Sequence, residues 1–480
     1  MWDFFHNVGA IVSITTVIHL VVVTLTIIWI LSIKRDSTAA MAWCLTAILL
    51  PFLGAFLFWV FGYQRVYRPL LRKKKHKKLF RQQHPRRRPS SAKRFGHGWA
   101  GMARLAQRLD AFPATIGNEV VFFHEGQSAF DAKLEAIRGA QQHVHLEYFI
   151  VQPDDTGRTL LSLLCEKVRQ GVEVRLLYDA MGSHRLKRQT VAELRQAGGR
   201  CEAFFPLFDP LRRRTQINLR NHRKIVVVDG QVGFSGGMNI GDEYLSKSKS
   251  FGFWRDTHMR LTGPAVADLQ RVFVEDWHFA SGEMLKGKRY FPDNSKIGES
   301  PVQVVMSGPD QELKSIREVY FAAILRARRR LWIATPYFVP DAGIHDALCL
   351  AARSGIDVRL LGLYHPDKWL PFLAGRYYWT DMLAAGVKIY QYSKGMMHSK
   401  LMMVDGRWAS CGTANLDNRS LHLNFEVNCL LYDPAHVAVL EAAFLRDLET
   451  AIALDAATYA KRPIVYRAAE NVCRLFSPIL

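Results

Sequence analysis

MMHSKLMMVDGRWASCGTANLDNRS, residues 396–420, places a histidine two positions before a lysine, then an apolar run closing on Asp-Gly, then Gly-Thr-Ala-Asn. NHRKIVVVDGQVGFSGGMNIGDEY, residues 221–244, has the same order 176 residues earlier. His222, Lys224, Asp229, Gly230, Gly236 and Asn239 stand at the offsets of His398, Lys400, Asp405, Gly406, Gly412 and Asn415. A single His-x-Lys pair carries little information, because a histidine on a strand is commonly a satisfied core or surface side chain. Six residues matched in register argue for duplication.

The repeat reaches well outward from the histidines. IRGAQQHVHLEYFIVQPD (137–154) parallels ILRARRRLWIATPYFVPD (324–341), and RQGVEVRLLYD (169–179) parallels RSGIDVRLLGL (353–363). Each copy therefore reads strand, helix, strand and then the histidine motif on a strand closed by a tight turn, which is an α/β pattern. The expected architecture is two tandem α/β units, 111–298 and 299–480, sharing one site. An apolar region at 1–64 and a basic linker at 65–110 precede them.

If HRKIVVVDG is a strand, His222 and Lys224 point to one face, as do His398 and Lys400. Gly236, Gly237 and Asn239, like Gly412, Thr413 and Asn415, then offer backbone N–H groups and an amide to an anion. Lysine, asparagine and backbone donors suit a phosphate. Asp229 and Asp405 are candidates for the catalytic set, with turn formation as the alternative, since Asp-Gly is a favoured hairpin turn. Two facing copies give two imidazoles, suited to a two-step displacement at phosphorus: one attacks, the other protonates the departing alcohol.

The seven cysteines are scattered, without a CxxC pair or a His/Cys cluster at zinc spacing, so no metal or other cofactor is expected. Cys411 lies in the second motif, but its counterpart in the first is Ser235, which argues against a nucleophilic thiol. Of 64 Lys and Arg and 43 Asp and Glu, residues 1–110 hold 18 and 3, so the excess positive charge is concentrated there. Residues 8–33 are 26 apolar or uncharged residues in a row, and a second such run covers 39–62 after the break KRDST. Both are long enough to cross a bilayer, predicting a two-helix membrane hairpin. Twelve Lys and Arg between Arg65 and Arg88 follow without an acid. By the positive-inside rule this flank is cytoplasmic. Its expected partner is anionic lipid and not nucleic acid, because a tract tied to the bilayer meets lipid phosphates first.

These motifs resemble those of the phospholipase D superfamily, and more closely its bacterial cardiolipin synthases. The likeness extends to LLPFLGAFLFWVFG, WRDTHMRLTGPAV, TPYFVPD, GTANLDNRSLHLNFEVN and the terminal RLFSPIL. It implies transfer of a phosphatidyl group between two phosphatidylglycerol molecules, giving cardiolipin and glycerol through a phosphohistidine, without a metal, at the cytoplasmic side of the inner membrane. Hydrolysis of phospholipid by the same machinery is the alternative. The resemblance further implies that the motif aspartates lie outside the phosphate shell and that other carboxylates orient the imidazoles. The candidates are Asp256 in WRD and Glu426 in NFE, 34 and 28 residues after their histidines.

Overall fold

The computed structural model describes residues 2–34, 37–62, 73, 98–186, 188–206 and 219–480. Apart from Lys73, the basic run between Arg65 and Arg88 lies outside them. The chain forms two compact units, Met1–Lys73 and Lys74–Leu480.

In the first unit, helix Trp2–Ile33 contains the apolar stretch Thr15–Ile33, the only one among the described residues long and apolar enough to cross a membrane. At 1.5 Å per residue it covers about 28 Å, close to the thickness of a hydrocarbon core. The expected second span is segmented. Helix Ser37–Leu49 stops before Pro51, helix Pro51–Leu57 follows, and a π-helical turn runs from Phe58 to Gly62. Proline cannot donate to the preceding turn and its ring clashes with it, which explains the break. Among the described residues one continuous helix is long and apolar enough to span, and the second apolar run is built from shorter pieces.

The second unit is organised on one continuous sheet. The first copy contributes β1 (Thr115–Glu125), β2 (His143–Tyr148), β3 (Glu173–Asp179), β4 (Arg200–Phe204), β5 (Ile225–Val228), β6 (Val232–Gly236) and β7 (Phe253–Thr262). The second contributes β8 (Ser300–Ser307), β9 (Arg330–Ala334), β10 (Phe338–Val339), β11 (Asp357–Leu363), β12 (Lys388–Tyr392), β13 (Gly395–Met397), β14 (Leu401–Val404), β15 (Trp408–Gly412), β16 (Leu416–Asp417), β17 (Glu426–Leu431) and β18 (Ala451–Ala453). The order β18-β12-β11-β9-β14-β15-β17-β8-β1-β7-β6-β5-β2-β3-β4 is mirrored about the antiparallel β8–β1 pair, where Val302 faces Thr115 and Ser300 faces Asn118. Strands β10 and β16 form a separate parallel pair.

The motif strands IVVV and LMMV are buried at all four positions, as central strands covered on both faces must be. Each closes on a turn whose two central residues have positive φ, Asp229 at 52° and Gly230 at 66°, Asp405 at 54° and Gly406 at 67°. This backbone reverses the chain into β6 and β15 with the twist a hairpin requires. One apolar core runs across both copies, with Leu146 and Met259 from the first clustered with Met403 and Val427 from the second. Burying each such side chain stabilises the fold by about 1.5–3 kcal/mol. The two copies thus share one core within a single compact unit, Lys74–Leu480.

Candidate active site

His222 and Lys224 lie in the extended segment just before β5, and His398 and Lys400 in the one before β14. They were expected on the strands themselves. What holds these segments is the other copy. Asn221 bridges Phe425, and His222 N donates to Phe425 O at 2.9 Å; β13 pairs with β7, and His398 N donates to Arg255 O at 2.7 Å. Phe425 and Arg255 immediately precede the two candidate carboxylates. Parallel pairing is so close here that a Cβ on Gly395 would stand 2.1 Å from Phe253 O.

The consequence is an exchange of partners. His222 Nδ1 is 3.0 Å from both Glu426 oxygens, and His398 Nδ1 is 2.8 Å from Asp256 Oδ2. Both carboxylates were selected from the sequence, each paired with the histidine of its own copy; the structure corrects that pairing. With Nδ1 engaged, each ring keeps Nε2 for chemistry. Only 9% of His222 and 7% of His398 is exposed, so both rings are nearly enclosed.

Burial lowers the basicity of both imidazoles, and the lysines add to it. His398 is brought to about 4, with Lys400 the next cause. His222 falls well below its usual value through burial, and the charges of Lys224, Lys400, Lys368 and Arg419 lower it further. Lys400 itself is lowered by burial to about 8 and Lys224 well below its usual value. Burial pushes Glu426 up to about 7 against the pull of Lys224. Each lysine is influenced by the other copy's groups, so the two His-x-Lys pairs form a single electrostatic site. An anion entering it would offset the lowering of both imidazoles and both lysines. The ammonium groups meanwhile donate to the carbonyls of their own histidines, Lys224 to His222 at 2.7 Å and Lys400 to His398 at 2.6 Å.

The carboxylates are supported differently. Thr413 Oγ1 donates to Glu426 Oε2 at 2.6 Å, and Asn424 Nδ2 donates to Glu426 Oε1 at 3.2 Å. At the matching position, Gly237, a Cβ would stand 2.1 Å from Asp256 Oδ1. The glycine thus leaves room for Asp256 where threonine supplies a donor to Glu426.

Other candidates fall elsewhere. Asp229 accepts from the N–H groups of Gln141, Gln142 and His143, and Asp405 from those of Arg328, Arg329 and Arg330. Both carboxylates thus bind backbone, as the turn-forming alternative for Asp-Gly expects. They sit at the far ends of the motif strands from the imidazoles and close the loop that enters the neighbouring strand. Asn239 Nδ2 donates to Tyr244 at 3.0 Å and Asn415 Nδ2 to Asp417 at 3.0 Å, so both amides are already engaged within the protein. The N–H groups of Gly237 and Thr413, expected to face an anion, donate to Thr257 O and Val427 O. Residues not singled out from the sequence include Lys368 and Arg419, whose charges reach His222, and the Tyr337–Asp367 pair at 2.6 Å. Lys368 and Arg419 lie outside the six-residue repeat, which left no signal for them. Among the described residues, no group of three or more His, Cys, Asp or Glu side chains is gathered to hold a metal.

The family described as Cardiolipin synthase, PLD-like domain matches residues 134–277 and 320–448, and the one described as Phospholipase_D-nuclease N-terminal matches 21–62. A cardiolipin synthase of Geobacillus sp. (strain WCH70) is 43% identical over 93% of this chain and 90% of its own length. Another, from Geobacillus kaustophilus, is 48% identical over 79% of this chain and 76% of its own. The crystal structure of the phosphatidylserine synthase of Haemophilus influenzae Rd KW20 superposes with a TM-score of 0.60 at 17% identity, covering 79% of this chain and all of that one, which supports the fold. With duplicated His-x-Lys motifs meeting in one enclosed site and close relatives along nearly its whole length, the chain belongs to the cardiolipin synthase family of phospholipase D-like proteins.

Proposed function

We propose that the protein is a cardiolipin synthase that joins two phosphatidylglycerol molecules and releases glycerol. The observation that carries this reading is the partner exchange, which puts two oriented imidazoles and two buried lysines around one space. In the first step, Nε2 of one histidine attacks phosphorus of a phosphatidylglycerol. The bond to the glycerol oxygen breaks, and that oxygen takes a proton from the other, protonated imidazole. In the second, the hydroxyl of another phosphatidylglycerol gives its proton to the now neutral imidazole and attacks phosphorus, freeing the first histidine. Lys224 and Lys400 hold the non-bridging oxygens, after turning from the histidine carbonyls, and Asn239 and Asn415 join them on releasing Tyr244 and Asp417. Glu426 and Asp256 stabilise whichever imidazole is charged.

The acceptor must compete with water at about 55 M, which requires an enclosed site and an oriented hydroxyl; orientation can contribute roughly 7–11 kcal/mol. The near-complete burial of both rings supports such exclusion. The apolar N-terminal helix supports a location at the bacterial inner membrane, with the catalytic unit on the cytoplasmic side where the basic run would meet anionic lipid. The deciding experiment supplies the purified full chain with vesicles containing phosphatidylglycerol and measures products. Cardiolipin and glycerol in near-equal amounts are expected. Phosphatidic acid as the main product, with no cardiolipin at any vesicle composition, would replace the transferase by a hydrolase.

A further inference from the structure

Helix Ile464–Arg474, near the C-terminus, is oriented opposite to an ordinary surface helix. Its apolar side faces outward, with Ile464 78%, Val465 74% and Val472 58% exposed, and Leu475 (70%), Phe476 (44%) and Ile479 (45%) continue that side beyond its end. The residue it buries is Glu470, which accepts from Arg376 Nε and Arg462 Nε, both at 3.0 Å. Arg474 donates to the Tyr377 hydroxyl at 2.7 Å. A helix that only covers a core turns its apolar stripe inward. Here polar contacts fix the helix and leave the stripe unpartnered among described residues.

Two further observations say what covers it. The patch is basic: residues 456–480 hold Lys461, Arg462, Arg467 and Arg474 against Glu470 alone, which is buried. It is also continuous with the catalytic site. Arg419 N donates to Leu480 O at 2.6 Å, Arg419 Nη1 donates to Ile479 O at 3.2 Å, and the charge of the same arginine reaches His222. The helix Trp369–Ala384, which carries Arg376 and Tyr377, begins with Trp369 (65% exposed) and Leu370 next to Lys368, another cation acting on His222. Exposed aliphatic residues, a tryptophan and flanking Lys and Arg are the composition of a segment lying in a lipid headgroup layer.

We propose that the C-terminal helix Ile464–Arg474, with Leu475–Ile479 and Trp369–Leu370, lies in the surface of an anionic bilayer and holds the catalytic opening against it. Phospholipid then passes from the monolayer to His222 and His398 without its chains crossing water. The need for a lipid route rests on the proposed function; the docking itself does not.

Docking is tested on the full chain in liposomes of phosphatidylglycerol and phosphatidylcholine. In a background with Cys44→Ser and Cys473→Ser, the remaining cysteines are buried. A fluorophore is attached at Val472→Cys or, as reference, at Lys288→Cys, where the native side chain is 90% exposed. Acyl-chain nitroxide lipids should quench the label at 472 severalfold more than that at 288. Equal quenching overturns the proposal. So does shielding at 472 that ignores nitroxide lipid and grows with protein concentration in detergent, which would assign the patch to a second copy of the chain. In a second arm, Ile464→Asp with Val465→Asp should lower kcat/KM on vesicles by about tenfold while sparing short-chain phosphatidylglycerol dispersed below its micellar concentration. Equal loss on both substrates, or no loss on either, counts against it. Quenching at 472 in a protein that forms no cardiolipin would sink the proposed function and leave the docking surface standing.

Discussion

His222 Nδ1 lies 3.0 Å from both carboxylate oxygens of Glu426, a residue 204 positions further along the chain and in the other copy of the repeat. His398 and Asp256 form the reciprocal pair across 142 positions. Neither copy alone possesses an oriented histidine, so the duplication is needed for the site itself and not only for its symmetry.

Glu426→Gln and Asp256→Asn should therefore each impair the histidine of the opposite copy. Either amide can hold a ring but cannot balance an imidazolium, so turnover should fall roughly 10²- to 10⁴-fold, the span of a general acid–base contribution. In NMR spectra of 15N-histidine protein, Asp256→Asn should move the resonance missing in His398→Ala and leave that of His222 in place. A shift confined to His222 would restore same-copy pairing.

His222→Ala and His398→Ala should each abolish turnover, since each imidazole takes part in bond making or proton transfer. Lys400→Ala should weaken binding as well as rate, because an ammonium that meets phosphate in both ground and transition state affects KM and kcat together. Retention of more than a few per cent of activity, about the level an unassisted site would not reach, in either purified histidine variant would defeat the shared-site mechanism.

Binding of a phosphodiester should take up protons. In the empty site burial and Lys400 hold His398 at about 4, so it is neutral near pH 7; the bound anion raises its pKa. The bound state then carries more protons than the free one, and affinity falls as pH rises from about 4 toward the raised value, by up to tenfold per pH unit for one proton. Lys400, at about 8 in the empty site, extends the loss above that pH. Calorimetry with glycerophosphoglycerol in buffers of different ionisation enthalpy should report net uptake near pH 7. Zero or negative uptake would contradict the assignment.

Asp229 and Asp405 should matter to stability and not to chemistry. Each carboxylate accepts from three consecutive backbone N–H groups and sits at positive φ. Asp405→Ala should destabilise the unit by about 2–4 kcal/mol, from lost charge-assisted bonds and left-handed backbone strain. Thermal unfolding should shift while kcat of the folded fraction stays near that of the parent protein. A selective loss of kcat without a shift would return these residues to the catalytic set.

Gly237→Ala should cost activity through Asp256, because the added methyl would stand 2.1 Å from its oxygen. The variant should reproduce the Asp256→Asn effect on the His398 resonance. An unchanged resonance with full turnover would mean Asp256 has room to spare.

The sequence alone determined the duplication, the α/β class and the two His-x-Lys pairs, because each leaves a local trace: a period of apolar residues, a turn pair or a repeated spacing; the two carboxylates, at unequal spacings of 34 and 28 residues, were candidates through the family resemblance. It also showed a long apolar N-terminal helix, since length and lack of charge are additive along the chain. Only the tertiary structure decided that Glu426 serves His222 and Asp256 serves His398, because that pairing depends on backbone bridges at Asn221–Phe425 and Met397–Arg255, which no local pattern records. It likewise decided that Asp229 and Asp405 bind neighbouring backbone rather than the site, that Pro51 divides the second apolar run, and that Ile464–Arg474 turns its apolar side outward. Each depends on which surface another segment occupies. Hydrophobic spacing specifies that a face is apolar, while only packing specifies what meets it.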